Sequence, residues 1–178
     1  MNHPLAHLGS KQRKRWFWGW LGPTLVVMLI LQIVDRPLQT PTAPRGIVSY
    51  EFAGTTERAA AILAGWDEEA RIHAGFSLGF DYLFMPLYAM TVALGCLWAA
   101  ERWRRRPLAA LGTLPAWGAW LAAVFDGVEN LALWRLLSGS ITDPWPAVAW
   151  WCALVKFVLV GCGLVYILGG AIAGLERH

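Results

Sequence analysis

Charge is scarce in this chain. Of 178 residues only 15% are Asp, Glu, Lys or Arg, against 57% hydrophobic, and the mean hydropathy of +0.44 lies outside the usual range of soluble domains. Cysteine is also sparse. Cys96, Cys152 and Cys162 fall within apolar stretches and form neither a CxxC pair nor a zinc spacing, so they read as small apolar fillers. None of the four histidines, His3, His7, His73 and His178, lies deep in an apolar run, which argues against a bis-histidine haem held between helices. The Glu-x-x-His motifs of a di-iron carboxylate bundle are missing. No nucleophile motif, Gly-rich phosphate loop or metal-ligand spacing is present either. The expectation is no metal and no cofactor, with enzyme the less favoured class and no catalytic residue assigned. The net charge of +3 fits basic flanks facing anionic lipid and gives no nucleic-acid surface.

What the chain does have is long apolar runs. Crossing a bilayer as a helix takes about 20 largely apolar residues, and four segments qualify, at about 16–34, 75–99, 111–137 and 147–173. This predicts an all-α membrane protein, a bundle of four transmembrane helices. A basic tail occupies residues 1–15, and the transmembrane domain runs over 16–178 with an outer loop at 35–74. The first run has a basic flank like a signal peptide, but no small-x-small cleavage site follows it, so an uncleaved anchor is expected.

Basic residues orient the spans. Lys11, Arg13, Lys14 and Arg15 precede the first, Arg102, Arg104, Arg105 and Arg106 separate the second and third, and Arg177 ends the chain. The loop at 35–74 carries Arg36, Arg45, Arg58 and Arg71 against six acids, and Ser138 to Pro146 carries no base. The positive-inside rule then places both termini in the cytoplasm, with the protein multi-pass in the membrane. Twelve tryptophans fall mostly near predicted span ends, where amphipathic indoles form interfacial girdles, and none is given a binding role.

The outer loop divides into parts. Arg36 to Pro44, with prolines at 37, 41 and 44, predicts an extended strap. Ile47 to Phe52 is β-prone but has no sheet to join. Thr55 is a candidate N-cap for a helix whose Ala59, Ile62, Leu63 and Trp66 share one face, opposite Glu57, Arg58 and Ala61. A second helix start at Asp67-Glu68-Glu69 runs on into the second span. The amphipathic helix either rests on the outer leaflet or covers the mouth of the bundle.

Four charged residues stand inside the predicted spans: Asp81, Asp126, Glu129 and Lys156. A charge in hydrocarbon costs roughly 2.5–3.5 kcal/mol even on the lenient insertion scale, so each requires a partner, a proton or water. Counted at 1.5 Å per residue, they lie roughly 9–16 Å from the outer ends of three helices, which favours one shared site. Asp126, Glu129 and Asn130 form one stripe at i, i+3 and i+4. His73, Ser77 and Asp81 form another at i, i+4 and i+8, with Tyr88 further along that side, so His73, Ser77 and Tyr88 are rim candidates. Arg135 points the other way and is expected to snorkel. Three carboxylates and one ammonium give −2, untenable in low dielectric unless protons or a cation restore the balance. Interhelical hydrogen bonding alone is the competing reading, and for Asn130, Ser77 and Tyr88 taken singly it is the stronger one.

The strings EFAGT (Glu51 to Thr55), FDYLF (Phe80 to Phe84), DGVEN (Asp126 to Asn130) and VKF around Lys156 resemble a group of small four-span bacterial membrane proteins. The resemblance covers roughly residues 48–170. It implies a four-helix bundle and carries no activity.

Four functional readings remain open. The polar cluster binds a membrane lipid or a small quinone-like amphiphile, with apolar helix faces for the tail. Alternatively it couples a carrier to protons or ions, although no inverted repeat is evident. Paired carboxylates would also suit an enzyme acting on a membrane substrate. Last, the protein is an accessory subunit, in a homo-oligomer or a larger membrane complex.

Overall fold

The computed structural model describes residues 3–103 and 106–175. Arg104, Arg105, Arg177 and His178, which enter the reading above, lie outside the described residues. The described chain is helical, with no strand among the described residues. Helices α1 (Ser10–Val34), α2 (Ile47–Glu51), α3 (Thr56–Ala64), α4 (Glu68–Ala100), α5 (Arg106–Ala110), α6 (Thr113–Leu137) and α7 (Trp145–Leu175) follow in order. Among the described residues, four stretches are long and apolar enough to cross a membrane: α1, α4, Arg106–Leu137 and α7. The protein is a multi-pass, all-α membrane protein.

Helix starts follow the capping chemistry of the sequence. Thr55 caps α3, its hydroxyl accepting from the Arg58 N–H at 3.3 Å. Asp67 does the same for α4, accepting from the Ala70 N–H at 2.8 Å. Glu68 and Glu69 add negative charge to the first turn, and the helix continues unbroken into the second span. Helix α1 starts at Ser10, ahead of the predicted span, so the basic residues Lys11 to Arg15 are helical as well.

The chain divides into two compact units. The first comprises Met1–Leu25, Pro86–Ala123 and Lys156–His178. Within it α4 and α7 approach closely at glycines. A Cβ on Gly163 would lie 2.6 Å from Val92 Cγ1, and one on Gly170 would lie 2.9 Å from the Ala99 carbonyl oxygen. Thr24 and Thr91 share a buried hydroxyl hydrogen bond of 2.8 Å that joins α1 to α4. The segment before α1 is folded. Pro4–His7 forms a 3-10 turn, and the buried His3 ring lies 4.8 Å from that of Trp117. Arg13 reaches the Ala6 carbonyl, the Leu97 carbonyl and Glu101.

The second unit comprises Val26–Met85 and Val124–Val155. It holds the long loop, and two expectations for that loop are corrected. Ile47 to Phe52 is mostly the short helix α2, because Ile47 and Tyr50 bury their side chains in an apolar cluster that a lone strand would leave open. The Arg36–Pro44 strap is not simply extended. It begins with a 3-10 turn at Arg36–Leu38, and Leu38 and Ala43 are both fully buried. The predicted face of α3 is confirmed. Ala59, Ile62, Leu63 and Trp66 join one buried cluster with Leu78 of α4, Leu133 and Leu136 of α6 and Ala149 of α7. The loop is therefore a cap folded onto these helix ends, and Glu57, Arg58 and Ala61 face outward.

Polar anchors fix the cap. Tyr50 donates its hydroxyl to the Leu133 carbonyl at 3.1 Å, and Trp66 donates its indole N–H to the Leu38 carbonyl at 2.9 Å. Burial pushes the Tyr50 phenol well above its ordinary range, only partly offset by Arg71, so it stays a donor. Trp66 is thus a core residue, whereas Trp16, Trp18, Trp134 and Trp151 are exposed. Cys96 and Cys152 are buried as expected for fillers, but Cys162 is exposed.

Candidate functional site

The site is built on two helices of the second unit. On α6, Asp126, Glu129 and Asn130 are 2%, 0% and 3% exposed, while Val128 and Leu131 between and beyond them are 44% and 48% exposed. The i, i+3, i+4 stripe is therefore the inward face of the helix, and its outward face is apolar, as a lipid-facing surface requires. On α4, Ser77 is buried, and His73 and Asp81 are partly exposed.

These two stripes meet. The Asn130 amide donates to Asp81 Oδ2 at 2.8 Å and to the Leu78 carbonyl at 3.2 Å. One amide thereby satisfies a carboxylate and a main-chain oxygen of the neighbouring helix. Tyr82 adds a second link, its hydroxyl donating to the Gly127 carbonyl at 3.2 Å. Asp81 and Asp126 both lie within electrostatic range of that phenol. Tyr82 was not anticipated as a site residue, although it sits within the FDYLF string beside Asp81.

Lys156 and Tyr88 belong to the first unit, and both are buried. The Lys156 ammonium lies 4.9 Å from the centre of the Phe157 ring, a cation–π distance. Arg135 places its guanidinium 5.7 Å from the Trp145 ring centre.

Two further acids escaped the sequence reading. Glu51 is buried in the cap at the end of α2. Asp35, directly after α1, accepts a hydrogen bond from Ser77 and interacts electrostatically with His73. His73 Nδ1 is 2.9 Å from the Val34 carbonyl. Aspartate, histidine and serine thus come together, but not in the order of a hydrolytic triad. There the serine hydroxyl is bonded to the imidazole and the imidazole to the carboxylate. Here the serine bonds the carboxylate and the imidazole bonds a backbone oxygen. EFAGT was the available signal for Glu51, whereas nothing local marks Asp35.

No group of three or more metal-ligating side chains is found among the described residues. No family model, curated protein or solved structure matches the chain.

Proposed function

We infer that the protein binds the polar head of a small amphiphile, a lipid or quinone-like molecule, at the carboxylates of the second unit. The observation that carries this reading is the burial of Asp126 and Glu129, one helical turn apart on a helix whose other face is apolar. Two buried carboxylates so close repel each other when both are charged, so a ligand that donates hydrogen bonds or brings positive charge is stabilised there. The outward apolar faces suit an acyl or isoprenoid tail.

The reading also places the protein in the bacterial cytoplasmic membrane with both termini inside. The resemblance to small four-span bacterial proteins and the basic flanks support this. Cysteine at Ser140 is then labelled by an impermeant reagent from outside intact cells, and cysteine at Ser10 is not.

The direct test is organic extraction of protein purified in mild detergent, followed by mass spectrometry. A single enriched lipid or quinone species near one per chain supports the reading, and a bulk-membrane mixture counts against it. The double hydrogen bond from Asn130 to α4 favours one other reading, a structural accessory role in which the polar groups only join helices.

A further inference from the structure

The α4 stripe begins with His73 and Ser77, and the structure gives it a partner from outside the spans. Asp35 accepts from the Ser77 hydroxyl and feels the charge of His73. Its Oδ1 atom is buried with no hydrogen-bond partner among the described residues. A carboxylate oxygen withdrawn from water and given no donor is relieved by a proton. Burial accordingly raises Asp35 above the ordinary carboxylate range, with the Ser77 hydrogen bond and then the His73 charge opposing the shift.

His73 is set up as the other half. The Val34 carbonyl can only accept, so Nδ1 carries the hydrogen in that 2.9 Å bond and Nε2 is left as the basic nitrogen. Other charged groups nearby are engaged or turned outward. Arg71 donates to the Leu63 and Trp66 carbonyls, and Arg36 is exposed. From the cap, Tyr50 is committed to the Leu133 carbonyl and Glu51 lies buried at the end of α2. On α6, the buried polar groups are Asp126, Glu129 and Asn130, and the Asn130 amide holds Asp81.

We propose that Asp35 and His73 form a proton-binding site at the head of the α4 stripe, exchanging its proton with Asp81 through the Ser77 hydroxyl. The proton enters on His73 Nε2 and passes to Asp35. A protonated Asp35 has less need of the Ser77 hydroxyl, which turns to donate toward Asp81 one helical turn away, about 6 Å along the axis. Ser77 then takes the Asp35 proton as it gives up its own. The serine ends as it began, one proton has moved, and no other reactant is consumed. This site goes beyond amphiphile binding and is tested without any ligand.

The test is infrared spectroscopy of the full chain in lipid nanodiscs, reading protonated carboxyl bands as pH is varied. Bands are assigned with Asp35→Asn and Asp81→Asn, and folding of each variant is checked by circular dichroism. His73→Gln is expected to move the Asp35 titration upward, because a favourable positive charge is lost. After a jump into D2O, Asp35→Asn and Ser77→Ala are each expected to slow deuterium arrival at Asp81 by about tenfold or more. The proposal is overturned if His73→Gln leaves the Asp35 band in place. Unchanged Asp81 exchange in both Asp35→Asn and Ser77→Ala overturns it too, as does the lack of a protonated Asp35 band at any pH above about 4.

Discussion

Asn130 on α6 and Asp81 on α4 share a hydrogen bond of 2.8 Å between residues 49 positions apart in the chain. The same amide also holds the Leu78 carbonyl, so this residue joins the acidic stripe of one helix to that of the other. Asn130→Asp should be worse than Asn130→Ala. The first sets a second carboxylate against Asp81, while the second only removes donors. Thermal unfolding in detergent at neutral pH gives the order, and acidification should narrow the gap.

The cap should behave as core. Tyr50→Phe removes the hydrogen bond to Leu133 and is expected to destabilise by about 0.5–1.5 kcal/mol. Leu38→Ala empties a fully buried position and should destabilise by about 2–5 kcal/mol. In a chain whose other tryptophans are replaced, lipid-borne quenchers should leave Trp66 fluorescence largely intact.

Asp35 makes a prediction in pH. Its carboxyl is raised by burial, so the folded chain holds that proton more tightly than the unfolded one. Stability from this group is full below the ordinary aspartate range and falls as pH rises toward the raised folded value. Asp35→Asn should therefore melt higher than the parent at neutral pH, and the difference should vanish in acid.

His3 has the opposite sign. Its Nδ1 accepts from the Leu5 N–H at 3.2 Å, so the ring is neutral in this conformation. Burial lowers its proton affinity. Docking of the N-terminal segment should be complete above the ordinary histidine range and weaken as pH falls through and below it. Limited proteolysis of residues 3–9 should rise on acidification, and His3→Phe should abolish the pH dependence.

Helix approach in the first unit can be tested sterically. Gly163→Ala puts a Cβ 2.6 Å from Val92 Cγ1 and should destabilise by about 1–3 kcal/mol. Val92→Ala in the same chain should recover part of the loss, a coupling read from the four melts of the cycle.

The spans were legible because apolar runs of bilayer length are rare in soluble domains. The inward face of α6 was legible because Asp126, Glu129 and Asn130 repeat at the helical period, and the face of α3 because Thr55 and Ile62 mark its start and side. What failed depended on distant contacts. Ile47 to Glu51 has strand-like residues, and burial in the cap makes it helical. The face that carries Trp66 could rest on the outer leaflet or cover the bundle, and only the fold brings its indole to the Leu38 carbonyl, 28 residues away. Asp35 looked like an ordinary interfacial acid, since only the fold brings Ser77 and His73 beside it.

Whether the buried carboxylates bind an amphiphile is read by native mass spectrometry of Glu129→Gln beside the parent. Glutamine keeps the shape of the side chain and removes its charge, so the variant should fold and melt at or above the parent temperature. The parent is expected to carry one discrete bound mass and the folded variant to have lost it. A variant that unfolds, or one that keeps the same bound mass as the parent, rules out amphiphile binding there and leaves the carboxylates as interhelical ties.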